Sequence, residues 1–298
     1  MSLSADLKKL SKLAFANALG NRLSFSVLEH VLRRTDAPFV TAVTYHDTPL
    51  AFAEQFRSHL AWFRERYDNC ERASLDDLVH KGIWRHQRPG LIISFDDGLR
   101  SNATVAAPLL EESGFTGWFM VPARVPELDP AEQRSFARDQ LIQIVGEEDG
   151  ERLFMSWDDV RLLARNGHEI CCHSYGHTRL GPNLSAAELE EEIALPKRLF
   201  EEKLQRPIDA FAWVGGEEHA FSKQAFDKIK ACEYGLLFST NCLPITGLQT
   251  PWCLERYHVD ATYSPNQVRF ATSGIYDLLY ARKRRRVRSM VGMDAGEG

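Results

Sequence analysis

The chain has 298 residues, a length that allows two average domains or one larger α/β barrel. With 44% hydrophobic and 26% charged residues, 19 glycines and 13 prolines, its composition excludes disordered, collagen-like and repeat proteins. The net charge of −5 gives no general attraction to polyanions, so the composition favours a small ligand over nucleic acid.

The six cysteines are too few for a disulfide scaffold, and no CxxC pair suggests a zinc ribbon. We therefore predict reduced thiols. No apolar run approaches the 18 or so residues that a membrane-spanning helix needs, so the chain is not expected to cross a membrane.

Residues 1–36 are predicted to form a helical extension, with helices at about 3–19 and 24–34. In the first of these, apolar residues repeat at helical spacing: Leu3, Leu7, Leu10 and Ala14. Lysines precede an apolar stretch there, but Asn17 interrupts it, so the stretch is a poor match to a secretory signal. The expected location is the cytoplasm.

Short apolar or β-branched runs alternate with helical patterns over the rest of the chain. The predicted strands are 39–45, 91–95, 117–121, 168–172, 210–214, 235–239 and 254–259. The predicted helices are 51–66, a stretch ending at about 113, 130–145, 156–166, 185–204 and 222–232. Two of these helices open with capping boxes, at Ser156 and Ser185.

This alternation predicts one domain, 1–298, with a parallel sheet wrapped by helices. No glycine-rich phosphate-binding sequence follows any strand, so a closed or nearly closed β/α barrel is favoured over an open Rossmann sheet. In such barrels the loops after the strands build the active site. Four predicted strands end in polar, reactive residues, which we expect to meet at one face.

Two histidines and a pair of carboxylates could form a metal site there. His173 and His177 alone decide little, because two histidines after a strand often only hydrogen-bond within a loop. Asp96 and Asp97 strengthen the case, since adjacent carboxylates repel each other unless a cation stabilises them. One carboxylate with two imidazoles suits Zn²⁺, and also Fe, Co or Ni, better than Mg²⁺ or Ca²⁺. The second carboxylate could then accept a proton from water.

The sequence resembles the NodB-type polysaccharide deacetylases. Residues 94–98 (SFDDG) are similar to the TFDDG motif of that family, and residues 173–177 (HSYGH) match its HSxxH motif. The layout from 39 to about 259 also follows one branch of the family, with an early YH at 45–46 and an FAYPYG-like third motif at 211–216. The resemblance implies a distorted (β/α) barrel, a divalent metal ion and hydrolysis of an N-acyl group on an amino sugar.

Transferred residue by residue, the resemblance also implies roles. Asp97, His173 and His177 would hold the metal. Asp96 would be the general base, and Ser174 would brace the loop. In the branch with an early YH, that histidine is the general acid, which points to His46. A protonated imidazole there could also donate a proton to a departing amine on physical grounds, although His258 is a rival for the same role.

The third motif departs from the family pattern because it contains no arginine to orient Asp96. We predict that Arg256 takes this role, its alternative being a surface salt bridge. The backbone N–H of Gly215 could still stabilise an oxyanion, since that role needs no side chain. Trp213 could stack on a sugar, although a tryptophan in a strand is more often a core residue.

Residues 282–288 form the one strongly basic run, and 281–298 are predicted to be a solvated basic tail. The alternative is that this run, from Arg282 to Arg288, is attracted to anionic lipid, which would give peripheral membrane contact, or to a pyrophosphate-linked substrate. Without interleaved aromatic residues, nucleic-acid binding is not supported.

Together these features predict a metal-dependent hydrolase that removes an acetyl or formyl group from an amino sugar, lipid- or nucleotide-linked, in polysaccharide or glycolipid biosynthesis. Two other functions remain open. One is a catalytically impaired, carbohydrate-binding homologue, and the other is a hydrolase of small non-sugar C–N bonds such as ureides. The sequence carries no signal for the oligomeric state.

Overall fold

The computed structural model describes residues 37–146 and 152–293. The predicted helices within 1–36 lie outside these residues. In the described part, ten strands belong to one sheet. They are β1 Phe39–Tyr45, β2 Asp68–Asn69, β3 Gly90–Phe95, β4 Gly117–Val121, β5 Glu169–Cys172, β6 Ala210–Ala212, β7 Leu236–Ser239, β8 Ile245–Thr246, β9 Leu254–Glu255 and β10 Tyr257–His258.

Helices connect most of the strands. They are α1 Ala53–Arg66, α2 Arg72–Lys81, α3 Ala107–Ser113, α4 Pro130–Asp139, α5 Trp157–Arg165, α6 Ala186–Leu189, α7 Leu195–Leu204, α8 Lys223–Ala231, α9 Pro265–Ala271, α10 Ile275–Leu279 and α11 Ala281–Met290. A π-helical turn, Asn102–Ala106, leads into α3, and another, Glu190–Ala194, joins α6 to α7. Short 3₁₀ turns occupy Leu50–Phe52, Val125–Glu127 and Glu218–Ala220.

The sheet is nearly closed on itself. Its strand order is β10-β1-β3-β4-β5-β6-β7-β9, with β2 beside β3 and β8 beside β1, and every pairing except β1 with β8 is parallel. The two edge strands, β9 and β10, follow each other in the chain with only Arg256 between them. Because one residue cannot cross an open sheet, the two edges must lie side by side. The predicted distorted (β/α) barrel is confirmed.

Alternate strand residues face two separate apolar layers, as the two-residue period of a strand requires. Val40, Ala42 and Ile92 belong to a smaller cluster inside the barrel, to which α2 also contributes. Val43, Ile93 and the helices form the larger outer layer. Both strand faces are buried, which explains why β1 and β3 are almost continuously apolar.

The register of the strands places polar residues at one end of the inner face. Thr44 on β1 is paired with Ser94 on β3 and with His258 on β10. Thr44 and Ser94 continue the inner-facing series of their strands, so the barrel interior changes from apolar to polar at the carboxyl ends.

Several elements differ from the sequence-based expectations. The strand predicted at 254–259 is divided at Arg256, and the helix predicted at 130–145 ends at Asp139. The predicted solvated tail at 281–298 is wrong over the described part, because 281–290 form α11. Arg284 is buried there and donates to the backbone carbonyls of Asn241 and Cys242, and Val287 packs in the outer layer. A basic composition conceals these two inward-facing positions.

Among the described residues, no helix combines the length and the apolar character that crossing a membrane requires. All six cysteines are free thiols. Burial raises the pKa of Cys70, Cys171 and Cys172, which keeps these thiols protonated and poorly reactive.

A buried histidine on α1 makes stability pH-dependent. His59 lies between the hydroxyl of Tyr45, 3.1 Å away, and the carbonyl of Tyr263, and burial lowers its pKa from 6.5 to about 4. Between these values the unfolded chain binds a proton that the folded chain does not, so stability is complete above pH 6.5 and falls as the pH drops. From pH 7 to pH 5, His59 should remove about 2 kcal/mol.

Urea unfolding at pH 7 and pH 5 tests this expectation. The His59→Gln variant should lose about 2 kcal/mol less between the two pH values than the unsubstituted protein loses. His80→Gln, at an exposed position on α2, is the matched control and should keep the original pH dependence. Equal losses in the protein and the His59→Gln variant would contradict the expectation.

Candidate active site

A cavity of about 410 Å³ opens at the carboxyl ends of the strands, within the size range of small-molecule sites. Seven of the residues predicted for the site line it: His46, Asp96, Asp97, His173, His177, Trp213 and Gly215. Arg256 and Ser174 lie behind its wall, where Arg256 contacts Asp96 and Ser174 contacts the backbone of Thr178. The strand ends thus bring together side chains from widely separated parts of the sequence.

Asp97, His173 and His177 form a buried group whose metal-ligating atoms all lie within 4.8 Å of one another. His177 Nε2 is 3.0 Å, and His173 Nε2 is 3.6 Å, from Asp97 Oδ1. Burial opposes the ionised form of Asp97, but the two histidines and His46 outweigh it, and its pKa lies well below the usual value. One carboxylate oxygen and two imidazole nitrogens in a small buried volume are a donor set that fits Zn²⁺ or a similar transition metal.

A backbone contact orients the first of the two histidines, whereas Nδ1 of His177 has no hydrogen-bond partner among the described residues. His173 Nδ1 lies 3.0 Å from the carbonyl oxygen of Ala212, and a hydrogen bond there directs Nε2 towards Asp97. The backbone around the group is left-handed, with φ of +72° at Asp97, +61° at Ser174 and +59° at His177. Such conformations cost about 1–3 kcal/mol each in residues other than glycine and concentrate at functional sites.

The loop that carries the two histidines is held from behind. The hydroxyl of Ser174 accepts a hydrogen bond from the backbone N–H of Thr178, 3.0 Å away, the bracing geometry expected for this serine. Glu192 adds three further bonds, accepting from the backbone N–H groups of Tyr175 and Gly176 and from the hydroxyl of Thr178 at 2.9–3.0 Å. One carboxylate thereby holds three residues of the loop.

Sequence reasoning missed Glu192, which is one of three consecutive glutamates in a charged helix. Its π-helical turn, a feature that often accompanies functional sites, distinguishes it in the structure. Sequence reasoning also missed Asp47, which follows His46. Its carboxylate accepts hydrogen bonds from the Ser101 hydroxyl and the Val145 backbone N–H, both at 2.8 Å. Neither residue belongs to a motif, so only the fold could have found them.

Arg256 is completely buried and forms a two-pronged ion pair with Asp96, with N–O distances of 2.6 and 2.9 Å. It also donates to the hydroxyls of Thr44 and Ser94 at the polar end of the barrel interior. The surface salt bridge considered as its alternative is therefore excluded. Burial works against the ionised form of Asp96, but Arg256 and the neighbouring histidines more than compensate, so its pKa is lowered.

Replacing Arg256 by methionine is expected to lower the free energy of unfolding by about 3–5 kcal/mol, because it leaves the Asp96 carboxylate buried without its partner. Urea unfolding measures this loss. The matched control is Arg286→Gln, which removes an exposed ion pair with Glu218 and should cost under about 1 kcal/mol.

The double variant Asp96→Asn with Arg256→Met separates the ion pair from packing. It should recover part of the stability lost by Arg256→Met alone, because no uncompensated charge remains. A loss below about 1 kcal/mol in the single variant, or no recovery in the double variant, would contradict the expectation.

Two histidines share the opposite wall of the cavity. His46 follows β1 and His258 ends β10, and their ring centres are 5.1 Å apart. His46 Nδ1 is buried and has no hydrogen-bond partner among the described residues. Desolvation by the cavity walls and the adjacent His46 lower the pKa of His258, although its side chain is exposed at the cavity mouth. The geometry brings both predicted proton donors to the site.

The third motif forms another part of the wall. Gly215 has a φ of +76°, a left-handed conformation that residues with a side chain rarely adopt, so the turn at this position favours glycine. Trp213 is only 3% exposed, and its ring packs against Phe221 with centres 4.9 Å apart. This burial favours the core role, considered as the alternative for Trp213, over stacking on a sugar.

The model of one protein family, polysaccharide deacetylase, matches residues 85–236, just over half of the chain. No curated protein sequence is significantly similar to the chain. Among solved structures, the deacetylase PplD of Streptococcus pyogenes in complex with acetate is 15% identical with a TM-score of 0.62, covering 77% of this chain and 96% of that one.

IcaB from Ammonifex degensii is 18% identical with a TM-score of 0.60, covering 80% of this chain and 97% of its own. A de-N-acetylase from Aggregatibacter actinomycetemcomitans is 16% identical, also with a TM-score of 0.60, covering 78% and 99%. At such identities these structures establish the fold, and the family model independently confirms the resemblance seen in the motifs. The chain therefore belongs to the polysaccharide deacetylase family of hydrolases.

Proposed function

We propose that the protein is a metal-dependent hydrolase that removes an N-acyl group, acetyl or formyl, from an amino sugar. The observation that carries this proposal is the buried group of Asp97, His173 and His177 beside the Asp96–Arg256 ion pair in one cavity. A single carboxylate with two histidines is an open ligand set that leaves room for substrate and water. A carboxylate held next to such a set is placed to accept a proton.

Asp97, His173 and His177 would hold the ion, for which zinc is the first choice and iron, cobalt or nickel the alternatives. Bound there, a divalent ion would supply Lewis-acid activation of the acyl carbonyl and of the attacking water. Support for this assignment comes from the donor set itself and from the contact that points His173 Nε2 towards Asp97.

Asp96 is proposed as the general base. Arg256 occupies one lone pair on each of its oxygens and keeps the carboxylate ionised and in one orientation. An ionised carboxylate has further lone pairs, so one remains to take a proton from the attacking water. Arg256 is a positioning residue here, since it acts through Asp96.

His46 is proposed as the general acid that protonates the departing nitrogen. The pKa of His258 is lowered, which keeps it neutral and makes it the poorer donor at neutral pH. The Gly215 backbone N–H is proposed to hydrogen-bond the developing oxyanion. In the balanced reaction, the water oxygen bonds to the acyl carbon, the C–N bond breaks, and a carboxylic acid and a free amine leave.

The proposal extends to the cellular setting. Six unpaired thiols, most of them buried, are consistent with a protein of a reducing compartment such as the cytoplasm. The sugar is proposed to be a unit of a polysaccharide or glycolipid, in keeping with the family to which the chain belongs.

Metal analysis of the purified protein, coupled to an amine-release screen over acetylated and formylated amino sugars and ureides, tests the function. We expect about one equivalent of a transition metal and amine release from at least one acylated sugar, lost on treatment with a chelator and restored by the ion. Sugar binding without any amine release would instead favour the carbohydrate-binding alternative. Release from ureides alone would identify a hydrolase of small C–N bonds.

A further inference from the structure

Lys283 on α11 lines the same cavity as the proposed metal ligands. Its Nζ lies 5.2 Å from the centre of the ring of Tyr280, another residue that lines the cavity, and makes a cation–π contact with it. A Cβ atom built on Gly216 would be 3.8 Å from this nitrogen, which places the ammonium group above the third motif. A cation from the basic run therefore reaches the proposed active site.

No carboxylate in the described part of the chain forms an ion pair with Lys283. Glu218 is close enough to interact with it, but that carboxylate is paired with Arg286 at 2.6 Å. The other rim cation, Arg179, faces Glu217 at 3.5 Å. Asp96 has its own partner in Arg256, so Lys283 is the rim cation that has no ion-pair partner of its own among the described residues.

The exposed arginines next to Lys283 on α11 lie outside the cavity. Arg282 and Arg285 are exposed on the same helix, with no acid paired to them in the described residues. Arg284 and Arg288 instead turn inward, to backbone carbonyls and to the sulfur of Cys253. The basic run is therefore divided between inward-facing structural arginines and outward-facing cations, and of these outward-facing cations Lys283 is the one that lines the cavity.

We propose that Lys283 binds an anionic group, in the first place a phosphate, attached to the acylated sugar. This inference rests on the proposed function and narrows its substrate to sugars that carry a phosphate close to the acylamino group. A lysine ammonium group binds phosphate as a point charge, and unlike an arginine guanidinium it does not need a fixed two-pronged geometry. The phosphate could belong to a free sugar phosphate or to a lipid-linked one, which share this chemistry.

The probes are N-acetylglucosamine 1-phosphate and the neutral methyl glycoside of N-acetylglucosamine, with affinities measured by ligand-detected NMR on the full-length, metal-loaded protein. The phosphate form should bind about tenfold more tightly, the value of one charge-assisted contact. Lys283→Gln should remove most of this preference, and Arg285→Gln, two residues along the same helix and outside the cavity, should retain it. Because the metal is present in all three proteins, any contact of phosphate with the ion cancels in the comparison.

Raising the salt concentration should weaken the phosphate preference in the unsubstituted protein and leave Lys283→Gln nearly unchanged. A phosphate preference that is equal in the protein and in Lys283→Gln, or absent from both, overturns the proposal. As a further probe, the same sugar on a short prenyl phosphate separates the two phosphate sources. If the prenyl-linked sugar phosphate binds more tightly than the free sugar phosphate, the natural substrate is carried on a lipid; if the two bind equally, it is a free sugar phosphate. Either result supports the proposal, provided that the binding depends on Lys283.

The failure of this inference is distinguishable from that of the proposed function. Amine release from acylated sugars together with unchanged phosphate binding by Lys283→Gln overturns the anion site alone. Phosphate binding that depends on Lys283, in a protein that releases no amine from any acylated sugar, supports the anion site and contradicts the deacetylase proposal.

Discussion

Replacing Asp97 or His177 by alanine is expected to yield a folded protein that binds its metal more than about 100-fold more weakly. Loss of a residue that merely supports a ligand typically costs 10- to 100-fold in metal affinity, and these two side chains are proposed as ligands themselves. Each variant leaves only two donor atoms of the group of three. Metal content after dialysis against a weak chelator measures the effect, and amine release should fall to background with it.

Glu217→Gln is the matched control, since it removes a carboxylate that lines the same cavity but lies outside the group of three. It should retain the metal. Circular dichroism and urea unfolding establish that the alanine variants are folded. Full metal content in Asp97→Ala or His177→Ala would refute the proposed ligand set.

The strands and the helices between them could be predicted because their signals are local. β1, β3 and β4 are apolar runs bounded by turn residues. The capping boxes at Ser156 and Ser185 mark helix starts, and in the structure both hydrogen bonds of each box are present. The convergence of 96–97 with 173–177 was also predictable, because parallel strands deliver their carboxyl ends to one edge. The family motifs then assigned roles that spacing alone left open.

What the sequence concealed depends on closure of the barrel. Arg256 could be chosen as the partner of Asp96. Its complete burial, however, follows only from the closure of the sheet, which brings the two edge strands β9 and β10 together. Glu192 reaches the histidine loop because a π-helical turn rotates it there, and no residue pattern marks such a turn. The basic run similarly hides a helix in which Arg284 faces the core and Lys283 the cavity.

Replacing Asp96 by asparagine is expected to leave the metal content unchanged and to lower the turnover number by about 10²–10⁴-fold, the usual contribution of a general base. Asparagine keeps the shape of the side chain but cannot accept the proton from the attacking water at neutral pH. Asp96 also lies outside the group of three proposed metal ligands, so ion binding and proton transfer should separate in this variant. Amine-release kinetics and metal analysis on the same sample test the expected loss of turnover and the expected retention of metal.

The substitution also leaves Arg256 buried beside a neutral amide, which is expected to destabilise the fold by a few kcal/mol. Kinetics should therefore be measured well below the unfolding temperature. The double variant Asp96→Asn with Arg256→Gln removes the uncompensated charge and should be equally inactive while regaining stability. Turnover near that of the unsubstituted protein in either variant would exclude Asp96 as the base. Loss of metal from Asp96→Asn would show instead that both adjacent carboxylates hold the ion, and the water would then need another proton acceptor from the cavity wall.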